Sequence, residues 1–239
     1  MNNNHRNPYL RNGSSRVVNN LTYNQRFHAN HVGGGIQADI IGNKYKKGPM
    51  FGQVNASWHE IQAFSGGASA ANGTPSIYLS GNLGWSQTDP SGDQWLMART
   101  VTGQNGAESG VVPTSWRRTT PLANTPYPII AEPVANIEGS ILPIVGASRR
   151  LACDGSWVAN RDSVDTRLIN QYNTNTGISS VPSTEASVGG FPFISGGTPC
   201  TDTDHDGMPD GWETARGLNP SNAADRNAIT ASGYTNLEV

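Results

Sequence analysis

Charge is what this sequence has least of. Only 14% of its residues are Asp, Glu, Lys or Arg, and the formal net charge is −2. Cations this sparse cannot build a broad basic surface, so neither nucleic acid nor an anionic bilayer is an expected partner. Long apolar runs are also missing, and no stretch approaches the ~20 residues that a membrane-spanning helix needs. The opening Met1-Asn2-Asn3-Asn4-His5-Arg6 has no basic segment followed by an apolar one. The export signal of a secreted product is therefore expected upstream. Cysteine is nearly absent. Cys153 and Cys200 are the only two, too few for a zinc framework and not in redox Cys-x-x-Cys spacing. They form one disulfide or stay as two thiols, and the extracellular character of the remaining composition favours the disulfide.

What is abundant is 28 Gly and 15 Pro, with a surplus of Asn, Ser and Thr. Turns and short strands should dominate, giving an all-β chain. Three segments share a pattern of a β-branched run closed by Asn: Arg16-Val17-Val18-Asn19-Asn20, Ile36-Gln37-Ala38-Asp39-Ile40-Ile41-Gly42-Asn43 and Ser76-Ile77-Tyr78-Leu79-Ser80-Gly81-Asn82. Asn20 and Asn43 stand about 23 residues apart, the length of one solenoid turn, whereas the longer step to Asn82 requires an inserted loop. In stacked coils, Asn at a bend can hydrogen-bond to its counterpart in the next turn. A β-sandwich with similar short strands is the competing architecture.

After Asn82 the strand pattern fades. Pro113, Pro121, Pro126, Pro128 and Pro133 imply extended chain lying along the coils, and Trp85, Trp95 and Trp116 are expected to pack rather than to stack on sugar rings. One amphipathic helix is expected over Asp162–Tyr172, because Val164, Leu168, Ile169 and Tyr172 share a face and Gly177 follows. The expected organisation is coils and packed segment over 1–188, a linker over 189–201 and a small module over 202–239. Triplets such as Asn20-Leu21-Thr22 and Asn72-Gly73-Thr74 fit glycan acceptors, but a sequence rich in Asn and Thr produces them by coincidence.

The module opens on Asp202-Thr203-Asp204-His205-Asp206-Gly207-Met208-Pro209-Asp210-Gly211-Trp212-Glu213. This matches the twelve-residue calcium loop in which positions 1, 3, 5, 9 and 12 supply oxygens and position 6 is Gly. Asp202, Asp204, Asp206, Asp210 and Glu213 would repel one another without a hard divalent cation, and so many ligands favour Ca2+ over magnesium. Met208 can add its backbone carbonyl, and His205 should face outward. Pro209 can open a short helix that Gly217 and Pro220 end. The preceding Gly- and Pro-rich residues cannot supply the entering helix of an EF-hand. The loop instead resembles the dockerin or thrombospondin-type-3 class, with a degraded second loop at Ala228, Thr230, Ser232 and Gly233–Glu238.

Finally, Arg6-Asn7-Pro8-Tyr9-Leu10-Arg11 resembles the Arg-x-Pro-x-x-Arg signature of family 1 pectate lyases. Gly42–Pro49, Ile77–Asn82, Val145–Ser148 and Arg161–Arg167 are similar to segments of bacterial members in the same order. The resemblance implies a right-handed parallel β-helix, secreted and extracellular, that cleaves polygalacturonate by β-elimination with Ca2+. It places Arg6 at the catalytic-base position and Arg11 where the substrate carboxylate binds, the latter a natural task for a guanidinium fork. A free arginine, with a pKa above about 12, is a reluctant base, and His5 is the alternative. In that family the acidic residues holding the catalytic calcium precede this arginine, where this sequence has only five residues. The chain is thus expected to be the C-terminal portion of a lyase, inactive alone. The other reading is a non-catalytic, calcium-stabilised solenoid module that binds acidic polysaccharide or self-associates through the open end of its coils.

Overall fold

A computed structural model describes residues 2–11, 13–51, 57–66, 73–102, 106–123, 128–194 and 196–239. Met1, Asn72, Pro126 and Ser195, which enter the readings above, lie outside the described residues. The structure is β-rich with few helices, and its main sheets are parallel. It divides into two compact units, one of Met1–Pro143 with Arg167–Gly190 and one of Ile144–Thr166 with Phe191–Val239. Among the described residues, no helix is long and apolar enough to cross a membrane.

In chain order the first unit contains β1 (Tyr9–Leu10), β2 (Ser14–Val18), β3 (Leu21–Tyr23), β4 (Asn30–Gly33), β5 (Gln37–Ile41), β6 (Lys44–Lys46), β7 (Ile61–Phe64), β8 (Ser76–Ser80), β9 (Ala98–Val101) and β10 (Glu108–Val111). Strands β1, β4, β7 and β9 pair in parallel, β2, β5 and β8 form a second parallel sheet, and β3 and β6 a third. The chain therefore visits three sheets in rotation. β10 then turns back antiparallel on β9. These last two strands fall where the sequence pattern fades, because Ala-Arg-Thr-Val and Glu-Ser-Gly-Val carry little periodicity and receive their pairing from a sheet that already exists.

Period-2 alternation explains the core. Val17, Ile40 and Leu79 stand in register across β2, β5 and β8, and Ala38 stands beside Ile77. All five are buried in one cluster with Val32, Ile61, Ala63 and Met97. Trp85, Trp95 and Trp116 pack against that cluster, partly buried. The opposite face of the second sheet carries the row Arg16, Asp39, Tyr78. In the first sheet, Gly33 is required by close approach, since a Cβ there would lie 2.3 Å from the Phe64 ring.

The Asn residues at the bends form a ladder. Asn43 Oδ1 accepts from the backbone N–H (2.9 Å) and the side chain (3.1 Å) of Asn20, across 23 residues. Asn82 Oδ1 accepts in the same way from Asn43, at 3.0 Å each, across 39. Asn43 Nδ2 also donates to Val17 O at 2.8 Å. Asn43 is fully buried, so truncation would leave the Asn20 donors and the Val17 carbonyl without this partner. Asn43→Ala is expected to lower the unfolding free energy by roughly 2 kcal/mol, read as a lower urea midpoint with an unchanged m-value.

Beyond β10 the proline-rich chain crosses the outer face of the second sheet. Asp39, fully buried, pairs with Arg16 at 3.3 Å and with Arg118, and it accepts from Leu122 N at 2.9 Å. Arg118 N donates to Ile77 O at 2.7 Å, and Glu132 N to Asn19 Oδ1 at 2.7 Å. Helix α1 (Ile137–Ile141) follows, and its Glu138 meets Lys44 at 2.9 Å and the hydroxyl of Tyr172. Helix α2 runs from Ser163 to Thr174 and is capped by Asp162, whose Oδ1 accepts from Asp165 N at 2.8 Å.

The second unit holds an antiparallel hairpin of β11 (Arg149–Leu151) and β12 (Trp157–Ala159), and helix α3 (Asp210–Arg216). Cys153, in the hairpin turn, forms a disulfide with Cys200, just before the acidic loop. The hairpin turn and α3 touch closely, since a Cβ on Gly211 would lie 2.8 Å from Cys153 O. Trp212 and Met208 are buried, and the Arg216 guanidinium lies 4.0 Å from the Trp212 ring centre. Gly217, at φ 74°, ends the helix in the left-handed conformation.

Candidate functional site

The two arginines of the opening motif meet at one aromatic ring. Pairing of β1 with β4 sets Tyr9 beside His31, and before it Asn7 N donates to Ala29 O at 2.7 Å. The guanidinium carbons of Arg6 and Arg11 lie 5.2 and 5.4 Å from the Tyr9 ring centre. Arg6 is exposed and has a φ of 68°, a left-handed conformation that costs a non-glycine residue of order 1–3 kcal/mol and is concentrated at functional positions. The Asn7–Pro8 peptide is cis. A cavity of about 500 Å³ lies alongside, lined by Arg6, Asn7, Pro8, Arg16 and Asn20 among others. His5 is kept below the usual imidazole pKa by burial and by the charge of Arg6. Its ring centre is 5.4 Å from that of buried His31, which burial and the neighbouring His28, His5 and Arg6 hold down to about 3. Both rings are therefore neutral at physiological pH, which leaves the positive charge here to the guanidinium groups.

In the second unit the acidic loop gathers its carboxylates around buried oxygens. Carboxylate oxygens of Asp202, Asp204 and Asp206 lie within 4.8 Å of one another, and so do those of Asp206, Glu213 and Asp225. Asp202 accepts from the N–H groups of Asp206 (3.2 Å) and Gly207 (3.1 Å), which curls the chain, and Asp206 Oδ1 accepts from Met208 N at 2.8 Å. Gly207 has a φ of 95°, and exposed His205 one of 59°. Both Glu213 oxygens, both Asp204 oxygens, Asp206 Oδ2 and Asp225 Oδ1 are buried without a hydrogen-bond partner among the described residues. Glu213 is fully buried and Asp206 is 2% exposed. Burial, followed by the charges of Asp204, Asp206, Asp225 and Asp210, pushes the Glu213 carboxyl up to about 7. Unpaired buried carboxylates at this density are costly, and a hard, oxygen-seeking cation satisfies them, so calcium fits the residues present.

Two features of the cluster depart from the loop pattern. Asp210 turns its carboxylate to Thr203, accepting from Thr203 N at 2.8 Å and Oγ1 at 2.7 Å, and those bonds hold its pKa down. Position 9 of such loops often acts through water. Asp225 joins the cluster from beyond α3, although the twelve-residue pattern stops at Glu213. The available signal for it was its standing as the single acidic residue in the otherwise uncharged run 217–225.

These observations define a β-rich protein on parallel sheets, with paired guanidinium groups in one unit and a carboxylate cluster suited to a hard cation in a disulfide-bonded second unit. No family model matches the chain. Among curated proteins, it is 31% identical over 242 residues to the probable pectate lyase C of Aspergillus terreus, across 98% of this chain and 49% of that one. The probable pectate lyases C of Neosartorya fischeri and Aspergillus fumigatus are each 31% identical over 241 residues, with the same shares covered. These likenesses support a relation to the pectate lyases. The chain spans about half the length of the curated relatives it matches.

Proposed function

We propose that this chain is part of a secreted pectate lyase-like protein, and that its three parallel sheets are the C-terminal coils of a right-handed parallel β-helix. Identity of 31% over 98% of the chain to probable pectate lyase C carries this reading, and the grouping of Arg6 and Arg11 around Tyr9 supports it. The full-length polypeptide acts on polygalacturonate by β-elimination. Arg6 acts in its neutral guanidine form, taking the proton beside the uronate carboxylate, while Arg11 binds a carboxylate through its fork. The C–H electron pair becomes the new C=C bond as the glycosidic C–O bond breaks, and the leaving oxygen takes a proton from water. Calcium, when bound, would supply charge stabilisation at the uronate carboxylate. A separate, structural calcium belongs to the Asp202–Glu213 loop, held by Asp202, Asp204, Asp206, the Met208 carbonyl and Glu213 with Asp210 acting through water, in a module that follows a linker over 189–201. The Cys153–Cys200 disulfide favours an extracellular setting.

The test is the ultraviolet absorption of unsaturated uronate when polygalacturonate and calcium are mixed with the full-length polypeptide and, separately, with this chain. Full-length protein should generate product, and Arg6→Lys should slow it by on the order of 10²-fold or more. Full-length protein without product would reject the lyase reading. Product from the full-length protein but not from residues 1–239 would assign the missing catalytic groups to the rest of the polypeptide. The alternative is a calcium-stabilised, non-catalytic module that binds acidic polysaccharide or self-associates, and the unpartnered carboxylates of the second unit fit it equally well.

A further inference from the structure

We infer that Asp225 is a direct ligand in the cation site of the second unit, so that the metal is enclosed by two stretches of chain, the loop before α3 and the segment after it. This rests on the calcium reading of the loop and specifies its ligand shell. Glu213 is fully buried, with both carboxylate oxygens lacking a hydrogen-bond partner among the described residues. Its oxygens lie within 4.8 Å of carboxylate oxygens of Asp206 and Asp225, so three side chains converge on one small volume. Asp225 Oδ1 is likewise buried and unpartnered, while its Oδ2 accepts from Asn219 N at 3.1 Å. That bond fixes the carboxylate and leaves one oxygen aimed at the cluster. Asp210, which the loop pattern counts as a ligand, spends both oxygens on Thr203. A further hydrogen bond ties the two stretches, with Arg226 Nη1 donating to Asp206 O at 3.2 Å. The site therefore fits a hard divalent cation of calcium's ligand number, with Asp225 replacing Asp210 in direct contact.

If Asp225 is a ligand, neutralising it relieves repulsion when no metal is bound. If it is only an anchor for Asn219, neutralising it weakens the fold with or without metal.

The experiment is calorimetric titration of chelator-treated full chain with calcium chloride, for the unsubstituted protein, Asp225→Asn, Asp210→Asn and Glu213→Gln, with thermal melts in chelator. Unsubstituted chain should bind calcium. Asp225→Asn and Glu213→Gln should each weaken binding by at least roughly tenfold, as loss of ligand charge does, and Asp210→Asn by about threefold or less. In chelator, Asp225→Asn should melt no lower than the unsubstituted chain. Calcium binding by Asp225→Asn equal to that of the unsubstituted chain, with Glu213→Gln impaired, would overturn the Asp225 assignment and spare the loop. A lower melt of Asp225→Asn in chelator would reduce Asp225 to an anchor and overturn it as well. Failure of the unsubstituted chain to take up calcium would sink the loop reading, and this inference with it.

Discussion

Asp39→Ala is expected to lower the unfolding free energy of the first unit by roughly 3–5 kcal/mol, the usual cost of removing one partner from a buried ion pair. Asp39 is fully buried and serves three donors at once: the Arg16 and Arg118 guanidiniums and the Leu122 backbone N–H. Both arginine side chains remain about a fifth exposed, at 19% and 20%, so water can recover part of their solvation and the loss should fall toward the lower figure. Asp39→Asn keeps the shape and one acceptor oxygen, so it should cost less than alanine. Urea denaturation of the three proteins measures this, and an Asp39→Ala loss below about 1 kcal/mol would show that the ion pairs contribute no more than surface ones do.

Removing the disulfide should have a comparable effect on the second unit. The Cys153–Cys200 bond closes a loop with a sequence separation of 47, for which loop-closure entropy gives about 4 kcal/mol. Few other buried apolar groups hold this unit, Met208 and Trp212 being the chief ones. In Cys153→Ser combined with Cys200→Ser, hydrogen exchange at the α3 amides should therefore speed up by about a thousandfold, the factor that corresponds to such a loss. Saturating calcium should restore part of the protection by mass action. Unchanged exchange in chelator would mean that the hairpin packing alone holds α3.

The sequence exposed those features whose chemistry is local. The Asp-rich loop announces itself in twelve residues, and the Asn ladder is visible as polar residues closing β-branched runs at a coil-length spacing. Asp162 and the apolar face ending at Tyr172 announced α2. Partnerships across long chain separations were hidden. Nothing near Asp39 indicates that it meets Arg118, 79 residues on, because the sequence shows an acid in a strand but not the segment that covers it. The diversion of Asp210 to Thr203 was concealed for a different reason. A carboxylate at a ligand position and one that orders its own loop have the same sequence, and only geometry separates them. Asp225 lay outside the pattern because a cation selects oxygens by distance in space.

The segment anchored at Arg118, Leu122 and Glu132 has a bearing on where a long sugar chain can lie. The N–H groups of Arg118, Leu122 and Glu132 donate to Ile77, Asp39 and Asn19, and prolines cannot extend the sheet beneath. Its described residues cover Asp39 on the outer face of the second sheet and leave clefts beside Arg16. Under the lyase reading proposed above, a glycan would meet this unit on the side where the Tyr9 ring is flanked by two cations.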